Sequence, residues 1–161
     1  MYTRAALLDL HERSQRNLGM LIEHCRRLDA EALDRALPGF GYATVRLQLH
    51  HLIGAQEYWI GVLQGKMLVD DDIDAYPTID AFQEYRGRTA RAAETYLRGV
   101  TDTELNVPCE VLTWQGKKRR VMPALVFVRT VTHIYQHQGQ VIALCRLLGH
   151  PVPEGNDFPL E

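Results

Sequence analysis

Four long segments of this chain place apolar residues three and four positions apart, the period of an amphipathic α-helix. They cover residues 3–28, 44–65, 78–99 and 123–148. Because a helix with one apolar face must bury that face against another element, the pattern predicts an all-α four-helix bundle. We assign residues 1–161 to this single domain, since a chain of this length suits one hydrophobic core.

Local signals mark several helix ends. Thr3 and Thr44 are predicted N-caps, and Pro123 suits the first turn of the last helix. Gly65 and Gly149 are predicted to stop the second and fourth helices. The connections between the first and second helices and between the third and fourth are long. This favours a bundle that does not simply alternate up and down.

The segment 105–122 differs from its surroundings, because two short extended pieces flank Gly116. We interpret it as a small hairpin-like excursion between the third and fourth helices. The basic run 117–120 then falls on an edge strand, where charge discourages aggregation, and this interpretation is preferred to a nucleic-acid site. The acidic run 70–72 is interpreted as a solvated loop, since it lacks the spacing of a metal-binding loop.

Composition excludes several classes of protein. The chain is 46% hydrophobic with a net charge of −2, which argues against disorder and against nucleic-acid binding by bulk charge. No apolar run approaches the roughly 20 residues of a membrane span. Residues 1–15 lack the apolar core of a signal peptide. We therefore expect a cytoplasmic protein with no nucleic-acid or membrane partner.

The three cysteines do not form a recognisable framework. Cys25, Cys109 and Cys145 are far apart, and no Cys-x-x-Cys motif is present. Cys25 and Cys145 fall on apolar helical stripes, which predicts buried, unreactive thiols. Cys109 follows a proline in the excursion, where it can be exposed.

Two histidines on the last helix are the first sign of chemistry. His133 and His137 stand four residues apart, so a helix places both imidazoles on one face, one turn apart. Their stripe also carries Val126, Val141 and Leu144, so it is predicted to face the bundle. Burying two unpaired imidazoles is costly, and a shared metal ion would satisfy one nitrogen of each.

A third histidine is predicted on the second helix. His51 lies on the stripe of Leu47 and Ala55, which we take as the inner stripe. Three histidines from two helices would leave coordination positions open, as in catalytic metal centres. His50 points about 100° away from His51 and is expected to face solvent or an interface. His11 is expected to be a hydrogen-bonded core histidine.

Other interpretations of the histidine pair remain open at this point. Two helix histidines can simply be hydrogen-bonded to core partners, because His-x-x-x-His alone is a short motif. The His-Glu-x-x-His motif of metalloproteases is absent, since residues 134–136 are Ile-Tyr-Gln. Glu-x-x-His pairs of di-iron bundles are also absent from this region.

The stretches HIYQHQGQVIALCRLLGHPVPEGNDF (133–158) and HLIGAQEYW (51–59) carry a family resemblance. They are similar to motifs of the DinB-like (YfiT-type) damage-inducible family of metal-binding four-helix bundles. The resemblance implies a divalent metal ion, commonly zinc or nickel, bound by His51, His133 and His137. It also implies a site-adjacent role for Gln140, while Gln138 stands where the family usually has arginine.

The resemblance further implies an activity. Several relatives are metal-dependent transferases that use a small bacterial thiol, so a thiol S-transferase acting on a small-molecule substrate is expected. Arg86 is a candidate to bind a carboxylate of the thiol or substrate, although an arginine extending to solvent is the simpler reading. A metal-dependent hydrolase and a non-catalytic metal-binding or partner-binding bundle are the alternatives. A homodimer is expected, as in other family members.

Overall fold

The structure is a computed structural model that describes residues 1–68 and 70–160. Its longer elements are α1 (Arg4–His24), α2 (Ala30–Asp34), α3 (Val45–Leu63), α4 (Ile79–Gly99), α5 (Asp102–Asn106), β1 (Cys109–Thr113), β2 (Lys117–Val121) and α6 (Pro123–Leu147). Single 3₁₀ turns occur at Cys25–Arg27, Ile73–Ala75 and Trp114–Gly116.

The predicted helical bundle is confirmed, with α1, α3, α4 and α6 as its four long helices. The hydroxyls of Thr3 and Thr44 accept hydrogen bonds from the amides of Ala6 and Leu47, as expected of N-caps. The first helix is shorter than predicted, because its last turn tightens into the 3₁₀ turn that begins at Cys25. The short helices α2 and α5 within the connections were not predicted.

Two hydrophobic clusters show how the long helices run. One cluster joins the end of α1, the starts of α3 and α4 and the end of α6, and includes Ile22, Leu49, Phe82 and Leu144. The other joins the start of α1, the ends of α3 and α4 and the start of α6, and includes Leu7, Ile60, Leu97 and Phe127. Consequently α1 and α6 run in one direction, and α3 and α4 run in the other.

This up-down-down-up order confirms that the bundle does not simply alternate, but the responsible connection is not the predicted one. The chain between Leu63 and Ile79 must return along the length of the bundle, because α3 and α4 are parallel neighbours. Helix α3 also packs against α6, and α1 packs against α4 and α6. The antiparallel contact of α3 with α6 brings the two histidine-bearing segments side by side.

The predicted hairpin is also confirmed. Strands β1 and β2 pair in antiparallel register from Cys109 opposite Val121 to Thr113 opposite Lys117. Gly116 in the connecting turn has a φ of 69°, a conformation that favours glycine. Strand β1 packs on α3, and the backbone amide of Trp114 donates a hydrogen bond of 2.8 Å to the hydroxyl of Tyr58. The hairpin therefore projects the Trp114 side chain beside α3.

The core between the two clusters is polar. Gln15 donates a 2.9 Å hydrogen bond to Gln56, and one ring nitrogen of His11 lies 3.1 Å from the carbonyl oxygen of Ala90. Burial lowers the pKa of His11, so its ring is neutral at pH 7. His11 is therefore the hydrogen-bonded core histidine that the sequence predicts.

The predicted burial of Cys25 and Cys145 is confirmed as well. Cys25 and Cys145 are buried where α1 meets α6, with their sulfur atoms 3.9 Å apart, and Cys109 is exposed on β1. The basic run 117–120 is exposed on β2, where Lys118 pairs with Glu110 at 2.9 Å. Among the described residues, no helix is long and apolar enough to cross a membrane.

Candidate metal centre

Three imidazoles converge between α3 and α6. His51 extends from α3, and His133 and His137 extend from successive turns of α6. Their ring centroids are 4.4–5.1 Å apart, and one nitrogen from each ring lies within 4.8 Å of the other two. A tetrahedral zinc ion with nitrogen ligands at 2.0–2.1 Å requires nitrogen–nitrogen distances of about 3.3 Å. Small side-chain rotations can provide that closure.

A hydrogen-bonded glutamine sets the orientation of His137. The Nδ1 atom of His137 lies 2.7 Å from Oε1 of the fully buried Gln48. The amide nitrogen of Gln48 donates to Oε1 of Gln140 and to the carbonyl oxygen of Tyr42, both at 2.7 Å. Since Gln48 Oε1 only accepts, we assign the proton to His137 Nδ1, which leaves Nε2 with a free lone pair.

Gln140 and Tyr42 support the cluster from two sides. Gln140 is joined to His137 through Gln48, which gives the site-adjacent placement expected of it. The Tyr42 ring stacks on His51, with centroids 4.0 Å apart and planes 20° apart. Such contacts fix the ring orientations that a metal ligand needs.

The histidines are held neutral. Burial lowers the pKa of His51 to about 4, with added contributions from the nearby rings of His137 and His50. Burial likewise lowers the pKa of His133 to about 4, with added contributions from His137, His51 and Arg129. Burial also lowers the pKa of His137. At pH 7 each ring therefore offers an unprotonated nitrogen, and three neutral imidazoles form a donor set that fits a divalent transition-metal ion.

The cluster lies at the wall of an open cleft of about 550 Å³. His51 and His133 line this cleft, together with the aromatic side chains of Tyr42, Tyr58, Trp59 and Trp114. The guanidinium of Arg129 lies over the Trp59 ring, 5.1 Å from its centroid. Asp70 and Asp71 line the cleft as well. A ligand in this cleft would contact aromatic surface, charged groups and the imidazoles.

The structure corrects the predicted inner face of α3. Leu47, His51, Ala55 and Tyr58 line the cleft and are half-buried or exposed, whereas the fully buried stripe is Val45, Leu49, Leu52, Ile53, Gln56 and Ile60. The two stripes are neighbours on the helix and both contain apolar residues. The apolar periodicity therefore could not show which stripe packs in the core and which lines the cleft. This placement gives His51 access to solvent, which a core position would deny.

His50 and the acidic run are also placed differently from expectation. His50 is half-buried against the rings of Tyr76 and Tyr85, and its Nε2 lies 4.0 Å from Oδ1 of Asp70. Asp70 also accepts a hydrogen bond from the Tyr76 hydroxyl. His50 therefore does not face solvent as predicted, and Asp70 makes specific contacts. Asp71 and Asp72 are exposed, as the solvated-loop interpretation predicts.

Arg86 is not brought to the cleft. Its guanidinium lies against Gly19 of α1 and donates to the backbone oxygen of Gln15 at 3.1 Å and to Gln83 at 3.0 Å. Helix α1 packs beside α4, away from the α3–α6 contact that carries the histidines. The expectation that Arg86 binds a ligand at the histidine cluster is corrected, because its guanidinium lies in the groove between α1 and α4 and is bonded there to Gln15 and Gln83.

Two neighbours of His137 take unexpected positions. Gln138 is 1% exposed, and neither polar atom of its side chain has a hydrogen-bond partner among the described residues. An arginine at this position would be a buried charge. Gly139 is exposed, with open space where a Cβ atom would be, so no neighbouring element packs against it.

Sequence reasoning missed Gln48, Tyr42 and Arg129. Gln48 precedes His51 by three residues and Arg129 precedes His133 by four, so both share a helical face with a site histidine. The helical spacing could therefore have indicated Gln48 and Arg129 from the sequence. The role of Tyr42 could not be predicted, because its contact with His51 depends on the path of the connection before α3.

Comparison with known proteins agrees with the geometry. The sequence profile described as the DinB superfamily matches residues 13–141. This range contains all three site histidines together with Gln48 and Gln140. No curated protein matches the chain.

Proposed function

The chain belongs to the DinB superfamily, and on that premise we propose that it is a divalent-metal-dependent transferase that uses a small thiol as its nucleophile. His51, His133 and His137 bind the ion, with zinc or nickel as the metal. The supporting observation is the convergence of three neutral imidazoles at the wall of an open cleft. Catalytic metal sites keep a position open for water or substrate, and a three-histidine set does so.

The donor set favours an activated thiol. When bound, a divalent metal lowers the pKa of a coordinated thiol, so that a thiolate is available near neutral pH. Three neutral ligands leave the charge of the ion undiminished, which strengthens this effect. In the proposed reaction the thiol loses its proton to solvent, and its sulfur forms a bond to an electrophilic carbon of a second small molecule as the bond from that carbon to an anionic leaving group breaks.

The residues around the histidines have supporting tasks in this proposal. Gln48 holds the Nδ1 proton of His137, so Nε2 is the nitrogen that would bind the ion. Tyr42 restrains the His51 ring by stacking. Trp59 and Trp114 provide an apolar surface that holds the substrate and displaces water from the cleft.

A metal-dependent hydrolase is the second candidate, and one observation favours it. The sequence offered no general base, but Asp70 lies at the same cleft as His51 and stands 4.0 Å from His50. A carboxylate so placed can accept a proton from an attacking water. Product analysis in thiol-free buffer separates the two candidates, because only the hydrolase turns substrate over without thiol.

Metal content tests the binding step. Purified protein is analysed for bound metal beside His137→Ala and a control, His24→Ala, whose ring lies outside the cluster and contacts the backbone oxygen of His150. We expect stoichiometric zinc or nickel in the wild type and in His24→Ala, and its loss in His137→Ala. Retention of stoichiometric metal by His137→Ala would remove this residue from the site and contradict the proposal.

Turnover tests the chemical step. The zinc- or nickel-loaded protein is incubated with a bacterial low-molecular-weight thiol and each of several electrophiles, and conjugate formation is followed by mass spectrometry. We expect conjugation faster than with metal-free protein. The transferase assignment fails if no combination of thiol and electrophile reacts faster with the loaded protein than without metal.

A further inference from the structure

The cleft beside the three histidines carries charges of opposite sign on separate walls. Arg129 and Trp59 form one wall, and Asp70 and Asp71 belong to another. His50, which faces Asp70, and Trp59, which faces Arg129, are nine residues apart on α3. At 1.5 Å per residue they are separated by about 13 Å along the helix axis and lie on opposite sides of it.

Arg129 is available to a ligand. None of the ion pairs found in the described part of the chain uses its guanidinium. Stacking on Trp59 restrains the side chain while leaving its N–H donors free to bind a planar anion. The guanidinium of Arg129 is therefore partly fixed in position by Trp59, and its charge is available to an anionic ligand.

Arg129 lies one helical turn before the histidines of α6. Arg129 precedes His133 by four residues, so their Cβ atoms are about 5–6 Å apart on one face of α6. Because Arg129, His51 and His133 line one cleft, a ligand held at the histidine cluster by one end can extend toward the guanidinium with its other end. Asp70 and Asp71 repel an anionic group from the other wall, so the two walls together orient an anionic ligand in one direction.

We propose that Arg129 binds the carboxylate of the thiol substrate, and that the preferred thiols carry a carboxylate at the end remote from their sulfur. This inference rests on the proposed function, because the sulfur end is placed at the three histidines. Arg129 acts as a specificity-determining residue. We assign the carboxylate to the thiol and not to the electrophilic substrate, because only the thiol has another atom, its sulfur, with an assigned position in the cleft.

Tryptophan emission provides a direct binding assay. The chain contains two tryptophans, and both Trp59 and Trp114 line the cleft. Zinc-loaded protein, with its zinc content measured first, is titrated with mercaptobutanoate and with mercaptobutanol, which have thiol and carboxylate or hydroxyl at opposite ends. The same titrations are made on Arg129→Gln and on Arg146→Gln, an exposed arginine of α6 outside the cleft whose replacement changes net charge equally.

We expect the wild type and Arg146→Gln to bind mercaptobutanoate about three- to fivefold more tightly than mercaptobutanol, the range of a partly exposed ion pair. The preference should disappear in Arg129→Gln and shrink at high salt. Equal binding of the two thiols by the wild type overturns the inference. So does a preference that persists in Arg129→Gln, which would reflect chelation of zinc by both ends. Protein that holds no zinc refutes the proposed function itself, and the inference with it.

Discussion

Replacing Gln48 with methionine tests whether the hydrogen-bond network prepares His137 for a metal. The substitution keeps side-chain length but removes three hydrogen bonds of 2.7 Å, including the acceptor for His137 Nδ1. The ring is then free to rotate and to exchange tautomers. Loss of such a supporting partner typically weakens metal affinity 10–100-fold, which corresponds to about 1.4–2.8 kcal/mol.

The substitution also affects folding, so a matched control is needed. Buried groups that lose a hydrogen-bond partner cost about 1–3 kcal/mol each, and water can reach the half-buried Gln140 and thereby reduce that cost. Gln56→Met is the control, because Gln56 is equally buried on the same helix but bonds to Gln15, outside the metal cluster. Both variants should lose stability to urea, whereas Gln48→Met alone should lose zinc affinity.

Zinc affinity is measured by competition with a chromogenic chelator at pH 7, and stability by urea denaturation of the metal-free proteins. We expect an affinity at least tenfold weaker for Gln48→Met and within twofold of the wild type for Gln56→Met. If Gln48→Met binds zinc as tightly as the wild type, or if Gln56→Met loses as much affinity, then Gln48 does not orient the ligand.

Three further outcomes are expected. Burial holds the pKa of His133 at about 4 in the folded chain against 6.5 in the unfolded one. As pH falls from 6.5 toward 4, this one ring should therefore cost the metal-free protein about 1–2 kcal/mol of unfolding free energy, a value reduced for partial exposure. His51 adds to the total loss, since its pKa is lowered equally. Urea denaturation should show a smaller total loss for His133→Asn, and equal losses would contradict this. Gly139→Ala should raise the free energy of unfolding by about 0.5–1 kcal/mol, because the added Cβ has open space around it. Gly61→Ala should lower it, because the added Cβ would lie 2.6 Å from a backbone oxygen. Opposite signs in thermal denaturation would contradict the packing described around these two glycines. Tyr58→Phe removes the hydroxyl that accepts from the Trp114 amide, so hydrogen exchange of this amide should become about fivefold faster, the equivalent of about 1 kcal/mol. Unchanged exchange, measured by NMR, would show that this hydrogen bond does not hold the hairpin on α3.

The long helices were predictable because their signals are local. Apolar residues at helical spacing and capping threonines act within a few positions of one another, and Thr3 and Thr44 cap where expected. The short helices α2 and α5 were missed, since five residues are too few for a periodic pattern. Their capping residues, Asp29 and Thr101, were visible in the sequence.

The metal centre was predictable in its residues but not in its surroundings. His133 and His137 belong to one helix, so four-residue spacing alone aligns them. His51 required the family motif as well, because nothing local relates α3 to α6. Arg86 was misplaced for the same reason: periodicity gives a face of a helix, but it does not say which neighbouring helix meets that face.

By itself, the sequence determined four amphipathic helices, a hairpin and three histidines able to share an ion. Only the tertiary structure decided that α3 and α6 lie antiparallel and adjacent, that Gln48 holds His137, and that Arg129 and Asp70 line one cleft. The physical reason is the separation along the chain between the residues that interact. Helix periodicity and capping depend on neighbours in the chain, whereas a cleft depends on how distant surfaces pack to bury apolar area.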